Sequence, residues 1–202
     1  MKLKPILFVA LLVTTVQSFA QQELATDINN LGKISFLSPG ASYELRVAKF
    51  QSLYFHTFLH ASASFSFFDG GNNHHFYFDP AIGVQYRYYY NAKKSAAKGR
   101  VTTNNNLNYV AAMYENIYTK MPVNSDYFIE DKRRSINKIG ALWGLQRNYK
   151  SHFSIDLNLG LACLFSKGTT YDGFTRNYVS KNIVQVTSPG RLTLGFWLAG
   201  KK

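Results

Sequence analysis

The side chains with chemical reach are few. His56 and His60 lie four apart in a run that also holds Ser62, Ser64 and Ser66. His74-His75 adjoins Asn72-Asn73, Cys163 is the single thiol, and Glu44, Arg46, Asp79, Arg87, Lys138 and Asp156 are scattered through patterned segments. On a strand, a spacing of four puts His56 and His60 on one face but about 13 Å apart, too far to bind one metal ion together. A hydrolase or acyl transferase needs a nucleophile and a base within hydrogen-bond reach. Three serines share the face of His60, yet no compact motif such as G-x-S-x-G exists. A lone cysteine forms no internal disulfide, and no Cys/His metal spacing accompanies it. It reads as a small apolar strand residue. The residues therefore point to no catalytic, metal or cofactor site, and the charged set is more readily a structural network.

The elements that must position this set are strands. In FYFDPAIGVQYRYYYN, residues 76–91, the even positions are Phe76, Phe78, Pro80, Ile82, Val84, Tyr86, Tyr88 and Tyr90. The odd ones are Tyr77, Asp79, Ala81, Gly83, Gln85, Arg87 and Tyr89. A period of two marks a strand with unlike faces. The alternation recurs where Leu53, Phe55, Thr57, Leu59, Ala61, Ala63, Phe65 and Phe67 interleave with polar and ring residues. Leu107, Tyr109, Ala111 and Met113 interleave with Asn106, Asn108, Val110 and Ala112; Ile139, Ala141, Trp143 and Leu145 with Lys138, Gly140, Leu142, Gly144 and Gln146. It recurs again over 153–165 and 191–198. No stretch of comparable length has helical periodicity, so the expected class is all-β.

The beginning of the chain reads as an export signal. Lys2 and Lys4 precede an apolar run from Ile6 to Val16, followed by Ser18-Phe19-Ala20, which predicts a secretory leader over 1–20 cleaved after Ala20. The run is shorter than the roughly 20 residues of a spanning helix. The remaining 21–202 fits one domain. The formal charge is +12, and losing Lys2 and Lys4 leaves +10, gathered between patterned runs at Lys93, Lys94, Lys98 and Arg100, at Lys132, Arg133 and Arg134, and at the C-terminus. An exported chain meets little nucleic acid, so the expected partners exclude it and favour anionic lipid headgroups.

Connections divide into short ones, at 48–51 and 148–151, and long polar ones, at about 116–135 and 167–183. Alternation of short and long links is the plan of a transmembrane barrel with short periplasmic turns and long external loops. The stretch 91–101 is long for a periplasmic turn. Strands over 28–37 and 40–48, joined at Ser38-Pro39-Gly40, bring the expected total to eight. Pro80 donates no ladder hydrogen bond, which predicts a bulge near the loop end of its strand.

A soluble lipocalin-like carrier would show the same alternation with its apolar face inward. The polar faces here use Ser, Asn, Gly, Ala, Gln and Tyr rather than the Lys and Glu of a solvated surface. With only 17% charged but 16% aromatic residues, the apolar sets are expected outward, toward lipid. Tyr86, Tyr88 and Tyr90 crowd one strand end, as an interfacial girdle would. The expected fold is a single closed antiparallel up-and-down transmembrane β-barrel of eight strands. Its interior would hold Glu44, Arg46, His56, His60, Asp79, Arg87, Lys138 and Asp156 as a paired polar plug.

The leader, Ser-Pro-Gly-Ala-Ser-Tyr-Glu (38–44), and Gly-Val-Gln-Tyr-Arg-Tyr-Tyr-Tyr-Asn (83–91) with its Lys-rich turn and Asn108-Tyr109, resemble small outer-membrane β-barrel proteins of Bacteroidota. The resemblance implies location in the cell outer membrane and brings no catalytic residues. Trp197-Leu198 is followed by Ala-Gly-Lys-Lys rather than by a terminal aromatic. The expected role is envelope structure, adhesion or partner docking through the long loops. Lys132, Arg133 and Arg134 are the expected contact for lipopolysaccharide or a protein partner. Two other readings stay open, an enzyme modifying outer-membrane acyl chains and the soluble carrier.

Overall fold

The structure is a computed structural model describing residues 27–66, 73–123, 130 and 132–198, the side chains of 63–75 excepted. The expected leader, the link 69–72, Asp126, Asp131, Lys201 and Lys202 lie outside the described residues, and so do the side chains of Ser64, Ser66, His74 and His75. Nine strands follow in order: β1 (Leu31–Leu37), β2 (Gly40–Ala48), β3 (Gln51–Ser66), β4 (Asn73–Tyr88), β5 (Asn108–Thr119), β6 (Arg134–Asn148), β7 (Phe153–Asp172), β8 (Asn177–Thr187) and β9 (Gly190–Leu198). All pairings are antiparallel between chain neighbours, and β9 returns to pair with both β1 and β7. Eight strands, β1 to β7 and β9, thus close an up-and-down ring.

β8 and β9 share β7. β9 lies along Phe153–Leu159 and β8 along Ala162–Asp172. The break falls at Ser188-Pro189, where proline has no N–H for a ladder. There the Pro189 carbonyl accepts the Gly160 N–H at 2.9 Å and Ser188 Oγ donates to the Gly160 carbonyl at 3.0 Å. The expected loop at 167–183 is corrected by this hairpin: only residues 173–176 form its turn, and the flanking residues continue β7 and β8 as paired strands from Ala162↔Thr187 to Asp172↔Asn177.

The faces follow the alternation. In β4, Asp79, Ala81, Gln85 and Arg87 are buried inside the ring, while Phe78, Ile82, Tyr86 and Tyr88 are exposed outside. β5 corrects the expectation. Tyr109, Ala111 and Met113 point inward and are buried, whereas Val110, Tyr114 and Tyr118 lie outside. The reason lies at the lower end of the ring. There the connection between β4 and β5 forms a short helix, α1 (Ala92–Ala97), and a 3-10 turn (Thr103–Asn105). Ile28, Tyr89, Ala92, Leu107, Tyr109, Ala111, Met113 and Leu142 pack into an apolar floor at the lower end of the ring. The long basic stretch is therefore a floor segment rather than a simple turn. Asn105, at φ +59, is held to the N-terminal segment through Asn29, whose N–H donates to Asn105 Oδ1 at 2.7 Å. Asparagine is among the non-glycine residues that best tolerate such a backbone.

Pro80 is accommodated without the expected bulge. The β3–β4 register runs unbroken from Gln51↔Tyr88 to Ser66↔Asn73. The β5 ladder instead ends at Ala81↔Ile117, so the first position beyond it is the proline.

Gly144 shows how tightly the interior is filled. A Cβ there would stand 2.3 Å from Tyr109 Cζ. The ring cannot swing away, because its hydroxyl donates to Asp156 Oδ1 at 2.7 Å and its face lies 4.1 Å from the Arg87 guanidinium. Gly144→Ala is expected to lower stability by about 1–3 kcal/mol, the usual range for overpacking. Urea titration in detergent checks this, and Tyr109→Leu in the same chain should restore part of the loss.

Candidate functional site

Two surfaces of the ring carry the chemistry, and both follow from the period of two. Outside is an apolar belt to which every ring strand contributes an exposed large side chain: Ile34, Tyr43, Phe55, Ile82, Val110, Ile139, Leu161 and Phe196. Soluble monomers rarely expose more than about 300–600 Å² of contiguous apolar surface. A belt fed by eight strands is of another kind. Tyr86, Tyr88 and Tyr90 lie on it at the lower rim, each close to half exposed. Tyr90 Oη accepts the Trp143 indole N–H at 2.9 Å, and Tyr86 donates to Gln51 Oε1. Cys163 is exposed on the same outer face, beside Ile139 and Val186.

Inside, charges are arranged in layers. Just above the floor, Arg87 is 0% exposed between the rings of Tyr54 and Tyr109, 3.5 and 4.1 Å from their centroids. Its Nη1 donates to Asp156 Oδ2 and Gln146 Oε1, and its Nε to Gln85 Oε1, each at 2.9 Å. Glu44, also fully buried, accepts from Ser52 at 2.6 Å, from Gln146 Nε2 at 3.2 Å and from the Tyr89 hydroxyl. Lys33 Nζ stands 3.8 Å from Asp156. Two cations face two carboxylates, the condition under which buried charge persists. Arg87, Glu44 and Gln146 are fully enclosed, so side chains fill the ring at this layer.

A second layer centres on Glu115, which pairs with Arg191, stands 3.7 Å from Lys138 Nζ and lies 3.8 Å from His56 Nε2. Arg191 covers the Phe58 ring at 3.6 Å. His56 stacks on Phe58, with ring centroids 5.3 Å apart. Beside this layer a chamber of about 190 Å³ is lined by His60, Lys138, Glu115, Asn158 and Arg191. Phe58, Ala81, Ile117, Ile136 and Leu164 form an apolar ceiling. Beyond it Asp79 accepts from Thr119 and pairs with Arg133 at 3.3 Å.

Seven of the eight expected interior charges, Glu44, His56, His60, Asp79, Arg87, Lys138 and Asp156, thus lie within the ring. Arg46 does not, and this corrects the expectation. It keeps its register opposite Ser52, but it lies past Leu31↔Glu44, where the β1 ladder ends, and at this lower rim its half-exposed side chain pairs with Asp27 at 2.5 Å. Burial raises the Asp27 carboxyl, but the N–H groups of Phe50 and Ile28 and the Arg46 guanidinium outweigh it and hold the group below its ordinary 3.8.

The basic triplet is divided. Lys132 is exposed. Arg133 is turned to Asp79, while Arg134 pairs with Glu130 and donates to the Met121 carbonyl at 2.8 Å. Ser62 Oγ has no hydrogen-bond partner, so no contact with His60 activates it.

Sequence reasoning missed Lys33, Glu115 and Arg191. Carrying the β5 alternation from Met113 two residues further puts Glu115 on the face expected to meet lipid, and a carboxylate there was the signal that this face of β5 turns inward. Lys33 and Arg191 gave no local sign, because their partners are far along the chain and meet only when the ring closes. Among known proteins, no family model matches this chain, and neither a curated protein nor a solved structure does.

Proposed function

We propose that this chain is a small non-catalytic outer-membrane β-barrel protein, exported by its leader, of the kind its resemblance to Bacteroidota barrels implies. Its role is envelope structure, adhesion or partner docking through the external end. The observation that carries the reading is the inversion of polarity: large apolar side chains outside every ring strand and paired charges inside. In hydrocarbon each unpaired backbone group costs several kcal/mol, so a spanning sheet must close, as this ring does. A crossing strand needs about 9–11 residues, and the β4 stretch from Phe78 to Tyr88 supplies that length between aromatic ends. The lower tyrosines suit the headgroup level, where a ring is apolar and its hydroxyl wet.

With the floor and both termini of the ring toward the periplasm, two arms project outward. One is the β3–β4 hairpin above Phe58 and Ala81, and the other the β7–β8 hairpin above Phe165. Of the triplet, Lys132 is the exposed member outside any ion pair among the described residues and so is open to an anionic partner, whereas Arg133 and Arg134 are engaged by Asp79 and Glu130. Replacing all three by Ala is expected to weaken binding to purified lipopolysaccharide several-fold at low salt, with Lys132→Ala alone giving most of the loss. Unchanged binding rejects the docking role.

The location is tested by expressing the full chain in a Gram-negative host and fractionating the envelope. The reading expects a detergent-extracted outer-membrane band whose gel migration changes on boiling. Recovery in the periplasmic fraction would overturn it.

A further inference from the structure

The wall of the ring is uneven. β1 and β2 are short, and their turn at Ser38-Pro39 stops level with Leu59, whose N–H donates to the Pro39 carbonyl at 2.9 Å. Above it β3 has no strand partner on that side among the described residues, because the β2 ladder ends at Gly40↔Phe58. Across the gap stands the β8–β9 junction, and β8 pairs with β7 alone. A slot of about 370 Å³ opens there, lined by outward Leu59, Phe78 and Leu192 and by inward His60 and Arg191. The chamber behind it shares His60, Gly190 and Arg191. The slot thus joins the apolar belt to a charged interior.

The charge behind the slot is unbalanced. Arg191 and Lys138, with side chains 19% and 14% exposed, converge on the single carboxylate of Glu115. Asp79, opposite His60 on β4, is engaged by Arg133. A partly buried cation without a counter-charge is costly. The chamber has the volume of about six waters, at ~30 Å³ each, room for an anionic head but not for a long alkyl chain.

We propose that this slot and chamber bind a single-chain anionic amphiphile, its head between Arg191 and Lys138 and its chain lying outward over Leu59, Phe78 and Leu192. The site rests on the membrane reading above, since such a ligand would enter from the outer leaflet. Charge complementarity selects the head, and the apolar lip selects the chain. A neutral alcohol of equal length lacks the first, and inorganic phosphate or acetate lacks the second.

The test is native mass spectrometry of the full mature chain released from neutral detergent micelles, titrated with dodecanoate, dodecanol, acetate or inorganic phosphate. Dodecanoate should give one saturable adduct. Its affinity should fall at least tenfold in Arg191→Gln, where Lys138 still balances Glu115, and in Ala61→Trp, which fills the slot from outside. Glu115→Gln should strengthen it. Equal binding of dodecanol, equal binding of acetate or phosphate, or no dodecanoate adduct each overturns the proposal. Boiling-dependent gel migration of the same samples is read separately. Its presence without dodecanoate binding removes the slot alone, whereas failure to enter micelles or vesicles removes the membrane reading.

Discussion

Leu161→Arg should impair folding into lipid vesicles by about 2–4 kcal/mol, the cost of a guanidinium on the lipid face near the bilayer midplane. That corresponds to a roughly thirty- to several-hundred-fold shift in the folded to unfolded ratio. Leu161 is 67% exposed on the outer face of β7, opposite Ala141 of β6. In water such a surface position is permissive, where substitutions fall within about ±0.5 kcal/mol and added charge aids solubility. The two environments predict opposite outcomes, so the sign of the effect matters more than its size. Urea titration in vesicles, with Leu161→Ala as the size control, measures it. An Arg variant as stable as the Ala variant would remove lipid from the outer face.

The second large effect lies inside. Removing Asp156 alone, as Asp156→Leu, leaves Arg87 and Lys33 facing only Glu44 and deprives the Tyr109 hydroxyl of its acceptor. Breaking a buried pair from one side costs about 3–5 kcal/mol, mostly the penalty of the stranded charge. Arg87→Met should cost a similar amount, leaving two carboxylates against Lys33. The double replacement restores the balance, with Lys33 and Glu44 remaining, and should be markedly less damaging than the sum of the two. Urea midpoints of the four proteins in one detergent form the cycle, and additive losses would show that the pair is not coupled.

How much of this was legible from residue order depends on which part of the wall is considered. In β4 the odd and even sets separate by size and polarity, because the inner Asp79, Gln85 and Arg87 meet charged or polar partners and the outer residues meet the belt. In β5 the same rule failed. The inner positions Tyr109, Ala111 and Met113 fill an apolar floor, so polarity no longer marks the inside. That floor forms where Ile28, before β1, and Tyr89, Ala92 and Leu107, between β4 and β5, meet these strand residues, a tertiary event with no local signal. Arg46 has the same parity as Glu44 but a different fate, because it stands beyond the last β1 pairing, Leu31↔Glu44, at the rim where Asp27 reaches it. The network around Arg87 was visible only as a set of inward charges. Its pairing with Asp156, 69 residues on, is a product of closure.

The short β1–β2 hairpin links the fold to the proposed site. The Ser38-Pro39-Gly40 turn was readable as a strand boundary, and its position relative to the taller β3 and β8 was not. Gly40 belongs at that turn because a Cβ would meet the Thr57 carbonyl oxygen at 2.1 Å. The close approach keeps the hairpin low, and the gap above it connects belt to chamber.

Cys163 offers the most direct test of whether the belt meets lipid, because it is the chain's single thiol and stands exposed on the outer face. A nitroxide attached there, with the protein folded in phospholipid vesicles, can be measured by power-saturation spin resonance against oxygen and a water-soluble nickel chelate. The account predicts that collisions with oxygen exceed those with nickel, as for a label among acyl chains. A label relaxed more by nickel than by oxygen would place this face in water and contradict it.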